Sequence, residues 1–213
     1  LRARFGFVFE CYGGDRDLHS FPTRRSTDLL RRVPGVYVRP EDGYGNFPNI
    51  SLRGIDMGRS SKVTIMEDGI LAAPAPYSAP SAYYSPTLER MSGLEVIKGS
   101  SQVKYGPHTT GGAINYLSTA IPEELTTYSK VYYGSFDEMV AHIYHGGKQD
   151  TDIGRIGYLV EGYYRTTDGF KELQGAAGET GFTRSEPMLQ LSWEPDRKST
   201  RLNSSHVIIL YAV

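Results

Sequence analysis

The chain has 213 residues, of which 16 are tyrosine and 24 are glycine, and its formal net charge is −1. This balance shows neither the basic excess of a nucleic-acid-binding protein nor the acidic run of a solvating tail. The single cysteine, Cys11, excludes an internal disulfide framework and a cysteine-based zinc site. No apolar run approaches the roughly 20 residues of a membrane helix, but short alternating strands could still cross a membrane.

The two ends of the chain differ from its middle in composition and in hydrophobic pattern. Residues 19–29 (HSFPTRRSTDL) and 197–213 (RKSTRLNSSHVIILYAV) are rich in Arg, Ser and Thr and have no sustained period. Because they are similar to translated sequencing-adapter sequence, we treat 1–29 and 197–213 as non-native segments, with two ordinary solvated tails as the alternative. The informative chain is then an internal fragment, and no signal peptide is visible at its start.

Residues 30–121 read as a small mixed α/β unit with long loops. A helical spacing around Leu30 stops at Pro34-Gly35. Asp68-Gly69 predicts a hairpin, in which Glu67 and Asp68 read as a solvated acidic pair. Residues 73–86 (APAPYSAPSAYYSP) are too rich in proline for a central strand or helix. Strands are predicted over 36–38, 49–53, 63–66, 94–97 and 113–117, and one helical turn over 87–91.

Beyond Pro122 the sequence alternates between apolar and polar residues. The runs of period two cover about 9 to 11 residues, the length of a tilted membrane strand, although a soluble sheet with one wet face fits equally well. Residues 148–154 (KQDTDIG) and 167–181 read as turns, and 128–133 and 139–144 are weaker strand matches. The apolar positions are Ile156, Tyr158, Val160, Tyr164, Leu189, Leu191 and Trp193, against the polar Arg155, Glu161, Arg165, Gln190 and Ser192.

Motifs of catalysis and of nucleotide binding are missing from the sequence. The glycine-punctuated stretch 94–119 lacks the G-x-x-x-x-G-K-[ST] spacing of a phosphate loop, and no G-x-S-x-G elbow occurs. His142 and His145 lie three residues apart in a predicted strand, so they point to opposite faces and do not share a metal. We therefore expect no enzyme, no cofactor and no metal site formed by protein side chains.

Four motifs occur in a specific order: LLRRVPGVYVR, NISLRG, KVTIMEDGI and LERMSGLEVIKGSSQVKYGPHTTGGAINY. This series resembles the plug domain of TonB-dependent outer-membrane receptors over residues 30–121. The segment RSSKVTIMEDGILAAPAPYSAPSAYY is most similar to the ferric dicitrate receptor branch. The resemblance implies an α+β plug domain, followed over 122–196 by the first antiparallel strands of a large transmembrane β-barrel of about 22 strands.

The resemblance also implies structural roles inside the plug. Asn115 is expected to satisfy nearby backbone groups. Arg53 and Arg90 match positions of plug arginines that face barrel glutamates, with surface arginines as the alternative, because a buried guanidinium needs carboxylate partners. Glycine lacks the Cβ that would obstruct close backbone approach and adopts positive φ readily. The structural glycines implied are Gly54, Gly69, Gly99, Gly106, Gly111 and Gly112.

The function implied is active import of a ferric chelate, of the ferric citrate type, across the bacterial outer membrane. Its partners would be TonB of the inner membrane, the ferric siderophore and outer-membrane lipid, with no nucleic acid; the iron would arrive already chelated. A passive barrel or adhesin, and a soluble α/β module with a β-sandwich, are the alternatives. Cationic and hydroxyl donors suit an anionic chelate. The ligand-binding candidates are Arg59, Pro76, Tyr77, Ser78, Tyr83, Tyr84 and His108, and each tyrosine could instead serve packing.

Overall fold

The computed structural model describes residues 4–11, 30–55, 58–72, 85–99, 104–105, 110–170, 180–195 and 206–211, the first and last of these ranges by backbone alone. The chain divides into two compact units, Asp17–Thr119 on one side and Ala120–Val213 with Leu1–Arg16 on the other. Within the described ranges, no helix has the length and the apolar character needed to cross a membrane.

Strands dominate the described residues. Short 3-10 turns occur at Gly58–Ser60 and Leu88–Arg90. In chain order the strands are β1 Arg4–Cys11, β2 Val36–Pro40, β3 Pro48–Leu52, β4 Val63–Glu67, β5 Ile70–Leu71, β6 Gly93–Ile97, β7 Gly112–Leu117, β8 Thr126–Tyr133, β9 Met139–Thr151, β10 Gly154–Thr167, β11 Phe182–Glu194 and β12 His206–Tyr211.

The unit Asp17–Thr119 contains a four-stranded sheet in the order β5-β4-β7-β6 and a separate hairpin, β2-β3. β4 and β7 run parallel, whereas the other pairs are antiparallel. Every residue of β3 and β4 is buried, including the polar residues with which the apolar ones alternate in β3. The core consists of Leu30, Val36, Val38, Ile50, Leu52, Val63, Ile65, Leu88, Ile114 and Tyr116.

The strands predicted for this unit are confirmed to within two residues at each end, and the predicted helical turn is the 3-10 turn at Leu88–Arg90. The Asp68-Gly69 hairpin between β4 and β5 is also confirmed. Both turn residues have positive φ, +50° at Asp68 and +81° at Gly69, as a type I′ turn requires. The local turn chemistry was therefore sufficient to predict this hairpin.

The described residues of the unit that contains Ala120–Val213 form one six-stranded sheet in the order β1-β8-β9-β10-β11-β12. β8 to β12 form an antiparallel series, and β1 joins β8 in parallel. The weaker strand matches at 128–133 and 139–144 are confirmed as parts of β8 and β9. β1 and β12 fall in the terminal segments that we interpreted as non-native, and that interpretation stays a prediction.

One predicted turn is much shorter than expected. The segment 148–154 was predicted as a turn, but β9 continues to Thr151 and β10 begins at Gly154, so only Asp152 and Ile153 form the turn. Cross-strand pairing keeps the polar residues extended: Lys148 pairs with Gly157 and Asp150 with Arg155 in the ladder. Ion pairs among these side chains stabilise a strand end that composition alone marks as loop.

Candidate functional site

The hairpin turn at Asp68-Gly69 is adjacent to a network of buried polar side chains. Arg90 Nη2 lies 2.7 Å from Glu67 Oε1, and both side chains are almost completely buried. The solvated acidic pair predicted at Glu67 and Asp68 is therefore wrong. Glu67 ends β4, a strand whose five residues are all buried, so its carboxylate is carried into the interior and takes the guanidinium as its counter-ion.

Hydrogen bonds of Asp68 and Asn115 connect the same turn to β7 and to the residue that follows it. The Asp68 carboxylate accepts hydrogen bonds from the backbone N–H of Ser118, at 3.0 Å, and from its hydroxyl, at 2.5 Å. Asn115 Oδ1 accepts the Gly69 N–H at 2.9 Å, while its amide donates to Glu95. The expectation that Asn115 satisfies nearby backbone groups is confirmed. These side chains thereby join the turn between β4 and β5 to β7 and, through Asn115, to β6.

Close backbone packing surrounds the paired glycines at the start of β7. A Cβ on Gly112, whose φ is +142°, would lie 2.3 Å from Leu52 Cδ1 and 2.7 Å from the Ile97 carbonyl oxygen. A Cβ on Gly111 would lie 2.9 Å from the Lys62 carbonyl oxygen. These contacts fit the packing role expected for both residues. Gly54, Gly69 and Gly99 also have positive φ, and Gly106 lies outside the described residues.

The two predicted plug arginines differ in their surroundings. Arg53 is exposed and has a positive φ of 56°, and its backbone N–H donates to the Gly35 carbonyl at 2.8 Å. Arg90 is buried, and the carboxylate of Glu67 at the end of β4 is its counter-ion. A contact of either arginine with glutamates on barrel strands stays a prediction.

The predicted ligand-binding residues fall where the structure gives no side-chain description. Pro76, Tyr77, Ser78, Tyr83, Tyr84 and His108 lie outside the described residues, and Arg59 is described by its backbone alone. Their role stays a prediction. Geometry for a functional site comes instead from the second unit, whose sheet has two chemically distinct faces.

One face of the sheet formed by β9, β10 and β11 is apolar and exposed. We call it the exposed face. Its large apolar side chains have exposed fractions between 37% and 54%. They alternate along each strand with the residues of the opposite face, as the sequence period predicted. The members that define this face are Ile143, Ile156, Tyr158, Val160, Leu191 and Trp193.

The opposite face, which we call the buried face, carries most of the polar groups. His142 Nε2 lies 2.7 Å from Glu161 Oε1 in a buried pair flanked by the rings of Tyr128 and Tyr163. Its buried polar members are His142, Glu161, Arg165, Thr167, Gln190 and Ser192, and its buried apolar members are Val140, Leu159, Tyr163 and Met188. Water-soluble sheets show the reverse arrangement, with apolar residues inside and polar residues outside.

Arg165 links the buried face to the loop between β8 and β9. Its Nε donates to Glu138 Oε1 at 2.8 Å, and its guanidinium lies 5.5 Å from the centroid of the Phe182 ring. Arg165 is also directly opposite Arg184 in the β10–β11 register, and Arg184 pairs with Glu186. Each arginine thus has a carboxylate partner, which offsets the repulsion between like charges on neighbouring strands.

His142 and His145 point to opposite faces, as their spacing predicted. Whereas His142 belongs to the buried face, His145 lies among the side chains of the exposed face. Its Nδ1 is 2.7 Å from Thr127 Oγ1, and its Nε2 is 3.0 Å from the Tyr158 hydroxyl. This hydrogen-bonded group was missed from the sequence, because its three members lie on three different strands and form no local motif.

A group of charged residues lies at the end of the sheet that carries the Asp152-Ile153 turn. Glu123 accepts from Lys148 at 2.9 Å and from Arg155 at 2.7 Å. The hydrogen bond from Lys148, together with the charge of Arg155, lowers the pKa of the Glu123 carboxyl below its ordinary value. Lys148 also contacts Glu194, so the charged group joins the segment before β8 to three strands.

The fold is a plug domain followed by antiparallel strands, the arrangement of the N-terminal part of TonB-dependent receptors. Residues 14–113 match the family model described as the TonB-dependent receptor plug domain. The match begins at residue 14 and so overlaps the segment 1–29 that we set aside.

Individual relatives agree with this assignment. The vitamin B12 transporter BtuB of Vibrio cholerae is 28% identical over 122 residues, which are 57% of this chain and 19% of that protein. The ferric yersiniabactin uptake receptor FyuA of Yersinia pestis matches with a TM-score of 0.61 and 21% identity, over 80% of this chain and 26% of that one. The siderophore receptor PirA of Acinetobacter baumannii matches with a TM-score of 0.57 and 20% identity, over 83% and 28%. This chain thus matches about a fifth of the length of its curated relative.

Proposed function

We propose that this chain is the plug domain and first wall strands of a TonB-dependent importer in the bacterial outer membrane. The observation that carries the proposal is the arrangement of the sheet β9–β11, with an apolar exposed face and a largely polar buried face. Transmembrane barrels have this pattern, because their outer surface contacts lipid while their interior is polar. A soluble β-sandwich would bury Leu191 and Trp193, and here both are exposed.

The connections between the strands support the same topology. β9 and β10 are joined by two residues, whereas residues 168–181 separate β10 from β11. Outer-membrane barrels have short turns on the periplasmic side and longer loops outside the cell. The Asp152-Ile153 turn would therefore lie at the periplasmic end of the wall, beside the charged group of Glu123, Lys148 and Arg155.

The cargo we propose is a ferric chelate of the citrate type. The support is the resemblance of RSSKVTIMEDGILAAPAPYSAPSAYY to the ferric dicitrate receptor branch. The relatives bear the names of different cargoes, vitamin B12 and ferric yersiniabactin among them, so the shared fold does not select one. An anionic chelate would be bound by cationic and hydroxyl donors such as Arg59, Tyr83 and His108. Energy would come from TonB at the inner membrane.

Fluorescence of Trp193 tests the membrane orientation directly, because it is the only tryptophan of the chain. The full chain is refolded into lipid vesicles with brominated acyl chains and compared with unbrominated vesicles. We expect bromine to quench Trp193 strongly and aqueous iodide to quench it weakly. Strong iodide quenching without bromine quenching would show a wet face and refute the outer-membrane assignment.

Uptake measurements test the transport and the cargo. The complete gene that contains this chain is expressed in cells that lack their own ferric citrate receptor, with and without tonB, and supplied with labelled iron. We expect TonB-dependent uptake of iron citrate above that of other ferric siderophores. Uptake that persists without tonB would support a passive barrel, and uptake of a different chelate would replace only the proposed cargo.

A further inference from the structure

The segment that precedes β8 crosses one end of the sheet. We call this segment, residues 121–125, the strap. Its Glu123 carboxylate lies 2.9 Å from Lys148 Nζ on β9 and 2.7 Å from Arg155 Nη1 on β10. In the sheet, β8 is a neighbour of β9 but not of β10. The strap therefore reaches over the first neighbouring strand and contacts the second.

Two glycines leave room for the strap. A Cβ on Gly157 would lie 3.2 Å from Ile121 Cγ2. A Cβ on Gly147 would lie 2.8 Å from Leu125 Cα. Because side chains alternate along a strand, Arg155 and Gly157 share the buried face of the sheet, and Ile121 packs on that face. The packing at both ends of the strap is important, since ion pairs of an exposed carboxylate contribute little by themselves.

The plug is connected to the strap by a very short piece of chain. The last residue of the plug unit, Thr119, is itself held, because its hydroxyl donates to the Arg90 carbonyl at 3.2 Å. Only Ala120 separates Thr119 from Ile121. At about 3.6 Å per residue at most, two residues of chain span no more than about 7 Å, whereas a detached strap would add up to about 18 Å. The end of the plug thus cannot move far from the sheet while the strap is closed.

We propose that the strap stays closed during transport and holds the C-terminal end of the plug to the wall strands β9 and β10. The inference rests on the proposed function, because it concerns an importer whose plug opens a path for its cargo. A closed strap is incompatible with departure of the whole plug from the barrel as a rigid body. The path then opens by a rearrangement of plug segments that precede β7, while the end of the plug remains in place.

A reversible cross-link tests whether the strap must open. Ile121→Cys and Gly157→Cys are introduced together into the complete gene, in a background without other cysteines, and the protein is expressed in cells that lack their own ferric citrate receptor. The Gly157 Cβ position lies 3.2 Å from Ile121 Cγ2, so a disulfide can form between the strap and β10. Ile121→Cys with Gly162→Cys is the matched control, because Gly162 lies farther along β10 and on the opposite face.

A second pair keeps both glycines of the packing contacts. Glu123→Cys and Lys148→Cys replace two side chains whose charged atoms lie 2.9 Å apart, and a short bismaleimide joins the two thiols. This pair tests the strap if Gly157→Cys prevents the first pair from folding.

We expect both strap pairs to cross-link and the cross-linked proteins to import labelled iron citrate within about twofold of the rate before cross-linking. The control pair should remain free of cross-links. A loss of uptake of about tenfold or more on oxidation, restored by dithiothreitol and absent from the control pair, would show that the strap opens and would overturn the inference. Failure of both strap pairs to cross-link would also overturn it, because the strap would then not lie on β9 and β10.

Uptake by the reduced protein, measured with and without tonB, separates this inference from the proposed function. If the reduced protein imports the chelate only with tonB and oxidation abolishes that import, the strap inference alone is refuted. If the reduced protein shows no TonB-dependent uptake, the importer assignment fails and the inference fails with it.

Discussion

Arg90 Nη2 and Glu67 Oε1 lie 2.7 Å apart in an ion pair that is almost completely buried. Arg90 ends a 3-10 turn and Glu67 ends β4, so the pair joins two segments that are distant in sequence. The Thr119 hydroxyl donates to the Arg90 carbonyl at 3.2 Å, so the segment after β7 also contacts this turn. A buried pair of this kind is costly to break, because the remaining charge stays buried after its counter-ion at 2.7 Å is removed.

Removal of one member of the pair should destabilise the plug far more than removal of both. Glu67→Leu and Arg90→Met should each lower the free energy of local unfolding by about 3–5 kcal/mol, whereas the double variant should recover much of that loss. Hydrogen exchange of the β7 amides measures the free energy of local unfolding of the plug separately from that of the other unit. Additive losses in the double variant would show that the two side chains do not interact.

Gly112→Ala should destabilise the plug because the new Cβ would meet backbone. Its position, 2.7 Å from the Ile97 carbonyl oxygen, and its positive φ together predict a loss of about 3 kcal/mol. Gly54→Ala is the matched control, since Gly54 also has positive φ but nothing lies within 4 Å of its Cβ position, and it should lose about 1 kcal/mol. Equal losses in the same hydrogen-exchange measurement would mean that φ, and not packing, requires glycine at Gly112.

The effect of Val160→Arg on the free energy of unfolding distinguishes a lipid-facing sheet from a water-exposed sheet. Val160 is 52% exposed, so in water the substitution should change the free energy of unfolding by no more than about 0.5 kcal/mol. If the exposed face contacts the bilayer, the same substitution should cost about 2–4 kcal/mol. Urea titration of the chain in vesicles measures the difference. Ser135→Arg, in the exposed loop between β8 and β9, is the control and should have little effect in either case.

The lowered pKa of Glu123 predicts a pH-dependent stabilisation at the turn end of the sheet. A carboxyl whose pKa is lowered by folding stabilises the fold above its ordinary pKa of 4.5, and this contribution is lost as the pH falls through the lower, folded value. Lys148→Gln should raise the Glu123 pKa toward 4.5, because it removes the hydrogen bond that contributes most. Arg155→Gln should raise it less.

A carbon-13 NMR titration of the Glu123 carboxyl measures both shifts. Lys130→Gln, which removes a lysine from the middle of β8 without touching this group, should leave the titration unchanged. A Glu123 pKa that stays at its native value in Lys148→Gln would show that the ion pair does not form in solution.

Local patterns predicted the strands of the sheet well and their ends less well. Alternation identified both β10 and β11 and assigned Tyr158 and Glu161 to opposite faces, because the side-chain period of a strand is two. The stretch 148–151 was predicted as turn from its polar composition, but its pairing partners lie on other strands, which a local pattern does not include. The same reason explains the wrong prediction for Glu67, whose partner Arg90 is far away in sequence.

The sequence by itself determined the order of the plug motifs, the hairpin at Asp68-Gly69 and the division of the later strands into an apolar and a polar side. Those features depend on interactions within a few residues or on the strand period. Only the tertiary structure decided which of those two sides is exposed and which polar side chains meet, as His145 does with Thr127 and Tyr158. Burial and cross-strand contacts depend on how distant segments pack together, and alternation is identical whether the apolar side faces a core or a bilayer.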